Sequence, residues 1–214
     1  MTYPSLRDFV QTLERQGDLQ RVPFPVDPRF EMTDLCQRSL KAGGPALWFE
    51  QPRGSAIPVL GNLFGTQRRV AAALGYESVK QFREIGETLA FLREPHWPDR
   101  PTEALGRLPA FLPLLKASPR SVPRPLDYDT VQTGAEVDLT RLPVWTCWPE
   151  DAGPLITWGL VVTRGTRKPR QNIAPYRQQV IGRNRVLMRW LSHRGGALHF
   201  RDVQRVHRGQ PFPV

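Results

Sequence analysis

The sequence predicts an α/β (α+β) protein whose N-terminal part alternates helices and strands and whose C-terminal part consists mainly of strands. Apolar residues at helical spacing near the start, short β-favouring apolar runs throughout and a proline-rich span in the middle support this class. They divide the 214 residues into an N-terminal α/β domain at 1–93, a proline-rich linker at 94–127 and a β-rich domain at 128–214.

The N-terminal elements follow from local patterns. The first helix is predicted from apolar residues at i, i+3, i+4 and i+7, namely Leu6, Phe9, Val10 and Leu13. Prolines make the next apolar run an edge strand. The later predictions are this strand at 19–26, a helix at 30–42, short strands at 46–49 and 57–60, and helices beginning after Thr66 and Ser78.

The C-terminal part favours strands because β-branched and aromatic residues alternate with turn residues. Strands are predicted around Val131 and at 142–145, 157–163, 172–176 and 186–191. Gly165 and Gly182 mark turns between them. A short helix is predicted within the linker at 110–116, and a charged terminal helix is predicted around His207.

Composition excludes several classes of protein. The two cysteines, Cys36 and Cys147, form no CxxC motif, so a zinc motif, a redox motif and a disulfide framework are not indicated. The start of the chain is amphipathic and charged rather than a signal peptide. No run of about 18 apolar residues is present that could span a membrane. These observations predict a cytoplasmic protein with reduced thiols.

The positive charge is concentrated near the C-terminus. The net charge is +10, and residues 152–214 carry twelve of the 30 lysines and arginines but a single acid, Asp202. Almost all of these cations are arginines, whereas non-specific nucleic-acid binders use lysine freely and place stacking aromatic residues beside it. We therefore expect no nucleic-acid partner, although a basic nucleic-acid-binding protein remains an alternative.

Residues 172–198, NIAPYRQQVIGRNRVLMRWLSHRGGAL, contain no acid and hold most of the candidate chemistry. Arginine forks match phosphate oxygens, glycines let backbone N–H groups approach an anion, and Asn and His ligate divalent ions. His193 lies beside Arg194, and a cationic neighbourhood keeps an imidazole neutral, which is the metal-binding form. No role is assigned to His199. A basic β-hairpin with a solvated arginine face explains the same composition.

Several motifs resemble the UbiD family of decarboxylases. They are LRDFVQTLERQGDL, KAGGPALWFEQPRG, PVLGNLFGT, WTCWPEDAGPLITWGLVVTRG, RQN-x-x-x-YRQQ and MRWLSHRGGAL. The branch that decarboxylates 4-hydroxy-3-polyprenylbenzoate to a 2-polyprenylphenol in ubiquinone biosynthesis is the most similar. The resemblance implies a small N-terminal α/β domain followed by the first part of a split β-barrel that binds prenylated FMN with Mn²⁺ or another divalent cation.

The resemblance also implies partners. They are an aromatic acid with a prenyl tail as substrate, a flavin prenyltransferase that supplies the cofactor, and further copies of the chain in a homo-oligomer when full length. A peripheral association with the inner membrane is a further expectation.

Roles for individual residues come from the same resemblance. Asn172 and His193 match the family's metal ligands, and Arg177 matches the arginine that acts in catalysis near the substrate carboxylate. The residues that match cofactor-contacting positions are Pro175, Tyr176, Arg177, Arg189, Trp190, Leu191, Arg194 and Gly195. The family usually has glycine and an aliphatic residue at the positions of Ala174 and Pro175, and this proline removes a backbone donor.

The family's glutamate metal ligand and acidic proton-transfer residues have no counterpart in these 214 residues. Together with the apolar ending at Pro211–Val214, this predicts an incomplete and inactive fragment of a longer decarboxylase. A free-standing split-barrel module that binds a flavin phosphate, of oxidoreductase type, is the alternative reading by analogy of fold.

Overall fold

A computed structural model describes residues 3–94, 130–166 and 171–214. Residues 95–127 of the predicted linker, with the predicted helix at 110–116, lie outside these ranges. Backbone contacts divide the chain into two units, Met1–Thr12 with Phe64–Gln132 and Leu13–Leu63 with Thr133–Val214. This grouping separates residues 13–63 from residues 64–93, which the sequence placed in one domain. The domain boundaries drawn from the sequence stay a prediction.

The described residues of the first unit are mainly helical. Helix α1 (Leu6–Arg15) begins in it, and α3 (Gln67–Ala73), a 3-10 turn (Val79–Gln81) and α4 (Phe82–Arg93) follow after Phe64. The predicted caps are confirmed, because the Thr66 side chain accepts from the Arg69 amide at 3.3 Å and Ser78 forms a capping box with Gln81. The Phe9 ring is buried between Tyr3 and Phe64, at centroid distances of 4.9 and 6.5 Å.

The second unit begins with a three-stranded sheet. Its strands are β1 (Leu19–Val26), β2 (Ala46–Pro52) and β3 (Val59–Gly61), in the order β1-β2-β3. Strands β1 and β2 are parallel, and helix α2 (Glu31–Lys41) connects them, whereas β2 and β3 are antiparallel. Strand β1 lies at the edge of the sheet, as its prolines predict, because proline has no backbone N–H to donate to a neighbouring strand.

The core of this sheet is apolar and continuous. Val22, Val26, Met32, Leu47 and Phe49 are buried together. Trp145, from much later in the chain, packs edge-on against Phe49 at 6.4 Å between ring centroids. The core therefore joins the first sheet to the segment that enters the C-terminal strands.

Two predicted strands are absent. Val131 and residues 142–145 lie outside regular strands, and Thr146 forms only an isolated bridge with Arg29. The Thr146 amide donates to Pro28 O and its carbonyl accepts from the Phe30 amide. The apolar character of 142–145 thus reflects packing of Trp145 into the core. Pro143 also removes a ladder donor from this run.

The C-terminal strands form two small antiparallel sheets. One has the order β4-β7-β8 and the other pairs β5 with β6. The elements are β4 (Leu155–Ile156), β5 (Leu160–Arg164), β6 (Gln171–Pro175), β7 (Gln178–Gly182), β8 (Arg185–Met188) and the final helix α5 (Gly195–Val206). No closed barrel is formed by the described residues.

Two details of these strands differ from the prediction. The run at 157–163 is not one strand, because residues 157–159 lie outside regular structure between β4 and β5. Strand β7 was not predicted, since its glutamines obscure the alternation of apolar and polar residues. The terminal helix is confirmed as α5. Within the described ranges, the helices are too short and too polar to cross a membrane.

Candidate functional site

A cavity of about 620 Å³ opens where strands β6 and β8 end and helix α5 begins. Six of the eight residues predicted to contact the cofactor line it, together with Ala174: Pro175, Tyr176, Arg177, Arg189, Leu191 and Arg194. A cavity of this size falls in the usual range for small-molecule and cofactor sites. The structure therefore brings together, in one place, residues that are up to 20 positions apart in the sequence.

Tyr176 anchors one wall of this cavity. It follows β6, its ring is buried, and its hydroxyl accepts a hydrogen bond of 2.9 Å from the Gly196 amide. This bond satisfies one of the backbone donors that a helix N-terminus leaves without an intrahelical partner. A Cβ on Gly196 would lie only 3.1 Å from the hydroxyl, so glycine allows the strand end and α5 to approach this closely.

Trp190 packs against the ring of Tyr176. Its ring lies 6.0 Å from the Tyr176 ring and contacts Phe200 and Phe212 edge-on, at 5.9 and 5.7 Å between centroids. The Trp190 Nε1 atom is buried and has no hydrogen-bond partner among the described residues. Buried indole N–H groups normally have an acceptor, so this donor is left unsatisfied by the protein's own described groups.

The cavity has a strongly cationic lining. Arg177, Arg189 and Arg194 are exposed, and none forms an ion pair with a described residue. No lining residue is acidic. Guanidinium groups that are not neutralised by carboxylates attract phosphate or carboxylate ligands and can bind them in a bidentate manner.

The N-terminus of α5 adds a second source of positive potential. Arg194 is its N-cap residue, with extended backbone and no side-chain cap bond. The α5 helix is 12 residues long, and its partial positive end faces the arginine-lined cavity. Helix N-termini bind phosphate groups through their backbone amides, so the cavity combines two features that favour an anion.

Asn172 lies on β6 beside the same helix end. Its Nδ2 donates to Thr163 Oγ1 at 3.4 Å, and its Oδ1 is the atom that a Cβ on Gly195 would strike first. Thr163 Oγ1 in turn lies 3.1 Å from His199 Nδ1. Sequence reasoning missed both Thr163 and His199. The sequence of β5 does not alternate apolar and polar residues, so the inward position of Thr163 appears only in the burial pattern of the folded strand.

The second predicted metal ligand has a different environment. His193 is exposed in the turn before α5 and makes no hydrogen bond or ion pair with any described residue. Across residues 3–94, 130–166 and 171–214, no three His, Cys, Asp or Glu side chains converge in a way that could hold a metal ion. Asn172 and His193 offer at most two protein donors, so a divalent ion here needs oxygen atoms from a bound phosphate as well.

The donors present fit a flavin phosphate. Arginines and the α5 N-terminus match the phosphate, the orphaned Trp190 N–H matches a ring or ribityl acceptor, and the Tyr176–Trp190 pair gives an aromatic wall. Gly195 and Gly196 let Asn172, Tyr176 and Trp190 pack closely against the start of α5, since a Cβ on either glycine would meet these side chains.

Two protein-family models match the sequence of this chain. A model described as the 3-octaprenyl-4-hydroxybenzoate carboxy-lyase N-terminal domain matches residues 10–89. A second, described as the Rift-related domain of the same carboxy-lyase, matches residues 120–214.

Solved structures agree. HmfF from Pelotomaculum thermopropionicum, in an evolved dimeric form in complex with prFMN, shares 27% identity over 96% of this chain and 42% of its own, with a TM-score of 0.72. Vanillic acid decarboxylase from Sedimentibacter hydroxybenzoicus, in its closed form, shares 25% identity over 95% of this chain and 40% of its own, with a TM-score of 0.69.

A third structure shows similarity of fold. It is apo 3,4-dihydroxybenzoic acid decarboxylase from Klebsiella pneumoniae, with 20% identity over 97% of this chain and a TM-score of 0.67. The chain spans about two fifths of the length of these three proteins. Both family models match in consecutive order along most of its length. The chain therefore belongs to the UbiD family.

Proposed function

We propose that this chain is the N-terminal, cofactor-binding part of a prenylated-FMN-dependent decarboxylase of aromatic acids. The observation that carries the proposal is the acid-free cavity at the N-terminus of α5, lined by Arg177, Arg189 and Arg194. A flavin phosphate placed there meets the guanidinium groups and also the N-terminus of a helix. Asn172 and His193 would hold the proposed metal, Mn²⁺ or another divalent cation, which would add positive charge for the phosphate.

The residues in and beside the cavity have two proposed roles, which are to bind the phosphate and to orient the flavin. Arg189, Arg194 and the α5 amides hold the phosphate, while Tyr176 and Trp190 hold the flavin in position. Prenylated FMN, when bound, supplies the electron sink that an aromatic carbon needs as CO₂ leaves, a task that no side chain performs well.

Arg177 is the proposed catalytic residue. It lies between β6 and β7 on the wall of the cavity, and its guanidinium fork matches a carboxylate in a bidentate manner. Such a contact orients the substrate carboxylate and holds its negative charge until the carbon–carbon bond breaks. No Asp or Glu lines this cavity, so the proton that replaces CO₂ does not come from a carboxylic acid among these lining residues.

The same proposal extends to the substrate and partners. A 4-hydroxy-3-polyprenylbenzoate, converted to a 2-polyprenylphenol in ubiquinone biosynthesis, is supported by the sequence motifs and by the description of both matching family models. Vanillic acid and 3,4-dihydroxybenzoic acid are the substrates named for two structural relatives, so a prenyl tail is the feature that needs testing. The proposal also includes a flavin prenyltransferase that supplies the cofactor and a homo-oligomeric state. It places the protein in the cytoplasm, with peripheral contact to the membrane.

The experiment compares FMN with riboflavin, which lacks the phosphate, in fluorescence titrations of the chain with Mn²⁺ present. We expect saturable binding of FMN and much weaker binding of riboflavin. Arg189→Ala and Arg194→Ala lower FMN affinity toward that of riboflavin. Arg185→Ala, which removes an exposed arginine of β8 outside the cavity, is the matched control and leaves it unchanged.

Equal affinity for FMN and riboflavin, or loss of FMN binding in the Arg185 control to the same extent, would contradict the proposal.

A further inference from the structure

Three polar side chains from α5, β5 and β6 form a chain linked by two successive hydrogen-bond contacts. His199 lies on α5, Thr163 on β5 and Asn172 on β6, the strand that pairs with β5. His199 Nδ1 lies 3.1 Å from Thr163 Oγ1, and Asn172 Nδ2 donates to the same Oγ1 at 3.4 Å. Thr163 and Asn172 are cross-strand partners in the β5–β6 register, so the backbone itself holds these two residues side by side.

The middle residue of this chain is sealed from water. Thr163 is only 1% exposed, and its hydroxyl is therefore satisfied by protein groups rather than by solvent. Its Oγ1 makes hydrogen bonds to His199 and Asn172 and to no other described residue. A buried hydroxyl has one proton to donate, so the two contacts cannot both be ones in which Thr163 donates.

One order of donors satisfies all three groups. Asn172 Nδ2–H donates to Thr163 Oγ1, and the Thr163 hydroxyl donates to His199 Nδ1, which is then the unprotonated nitrogen of the ring. This order also determines which way the amide of Asn172 is turned. With Nδ2 directed to Thr163, the carbonyl oxygen Oδ1 is left facing Gly195 at the start of α5.

The His199 ring is itself held in place. A Cβ on Gly165, the residue that follows β5, would lie 3.0 Å from His199 Cδ2, so the backbone passes directly against the ring. The imidazole is thus confined between Gly165 and the hydroxyl of Thr163. A confined acceptor fixes the direction of the Thr163 hydroxyl, in the way that groups outside a metal's ligand set orient the ligands themselves.

We propose that His199 is a positioning residue. Acting through Thr163, it holds the Asn172 amide with Oδ1 turned toward the phosphate-binding end of α5, where that oxygen can ligate a divalent cation. The inference rests on the proposed function, since the cation and the phosphate belong to it. Without the Nδ1 acceptor, the Thr163 hydroxyl turns to Asn172 Oδ1 instead, and the amide presents its NH₂ group to the cation.

The test measures FMN affinity with Mn²⁺ and with EDTA, and takes the ratio of the two as the metal-dependent gain. In His199→Ala and in Thr163→Val this gain falls about 10-fold to 100-fold, the usual effect of losing a group that orients a metal ligand. FMN affinity in EDTA stays near the wild-type value, which a merely structural role of His199 would not allow.

Conservative and control variants complete the design. Thr163→Ser keeps the hydroxyl and retains the metal-dependent gain. His207→Ala removes another histidine, at the C-terminal end of the same helix, and has no effect. Because the two residues act in one chain of contacts, the double variant His199→Ala/Thr163→Val loses no more than either single variant.

The possible outcomes test the proposed function and the positioning role of His199 separately. If the wild-type chain binds no FMN, the proposed function fails, and the positioning role fails with it. If the wild-type chain shows a metal-dependent gain that His199→Ala retains, or if the two substitutions add, the positioning role alone is overturned. Loss of FMN affinity in EDTA as well, seen in both His199→Ala and Thr163→Val, overturns it in favour of a structural role.

Discussion

Replacement of Gly195 by alanine should leave the fold intact and remove the metal-dependent part of flavin binding. A Cβ at Gly195 would overlap Asn172 Oδ1, which is the far end of a side chain and can swing away. The swing breaks the Asn172–Thr163 hydrogen bond, at a cost of about 0.5–1.5 kcal/mol. Alanine recovers up to about 1 kcal/mol relative to glycine in a helix.

These two contributions have opposite signs and similar size. The free energy of unfolding should therefore change by about 1 kcal/mol or less, which corresponds to about 2–4 °C in melting temperature for a chain of this length. Binding responds differently, because the displaced amide no longer presents its oxygen to the cation. We expect FMN affinity in Mn²⁺ to fall to the value measured in EDTA.

Gly86→Ala is the matched control. Gly86 lies inside α4, and a Cβ there would meet nothing within 4 Å. This variant should gain about 0.5–1 kcal/mol in stability and bind FMN like the wild type. The two variants are compared by urea denaturation and by FMN titration with and without Mn²⁺. If Gly195→Ala retains its metal-dependent FMN affinity, the assignment of Asn172 to the cation site is refuted; if the variant fails to fold, the expectation that the Asn172 side chain can move aside is refuted.

Three further predictions concern other parts of the chain, and one concerns nucleic acid. Arg177→Lys keeps the charge but loses the bidentate fork, so flavin binding should persist while binding of an aromatic carboxylate weakens in equilibrium titrations. Burial, and to a lesser degree the neighbouring Cys147, raise the pKa of Cys36 to about 12. Because the thiolate is the reactive form, Cys36 should react with iodoacetamide at pH 8 far more slowly in the folded chain than in urea. The Thr140 hydroxyl donates to the Asp138 carboxylate and, with nearby arginines, holds the pKa of that carboxyl below its usual range. The stabilising effect of the charge is complete above about pH 4 and declines as the pH falls further, so Asp138→Asn should be less stable than the wild type at pH 7, and the difference should shrink below about pH 4. Duplex DNA at ~0.2 M salt should bind weakly, without sequence preference, and be displaced by FMN.

Each of these has a contrary outcome. Loss of flavin from Arg177→Lys but not from Arg189→Lys would exchange the roles of the two arginines. Rapid labelling of Cys36 in the folded chain would show that it is not buried as described. A stability difference for Asp138→Asn that does not shrink as the pH falls below about 4 would exclude a role for its charge. Sequence-specific duplex binding would favour a nucleic-acid function for the basic segment.

The sequence predicted elements where local patterns and tertiary packing agree. Strand β1 was found at its observed limits, and the Thr66 and Ser78 caps were recognised because capping is a local interaction. The run at 142–145 was misread, because the packing of Trp145 against Phe49 depends on a partner that local sequence does not reveal. Strand β7 was missed for the converse reason, since its ladder partners rather than its composition make it a strand.

The candidate site shows the same division. Residues that line the cavity were identified through motifs, and the structure places six of them together. Their order along the sequence does not show that the Tyr176 hydroxyl accepts a hydrogen bond from the Gly196 amide of α5 or that Trp190 packs against the Tyr176 ring. Thr163 and His199 are 36 positions apart, and only the packing of α5 against β5 brings them into contact.

A crystal structure of residues 1–214 with FMN and Mn²⁺ tests the central claim most directly. We predict electron density for the FMN phosphate at the N-terminus of α5, within hydrogen-bonding distance of Arg189 and Arg194. An anomalous manganese peak is expected next to Asn172 Oδ1. Flavin bound elsewhere on the chain, or a phosphate with no contact to α5, would contradict the account.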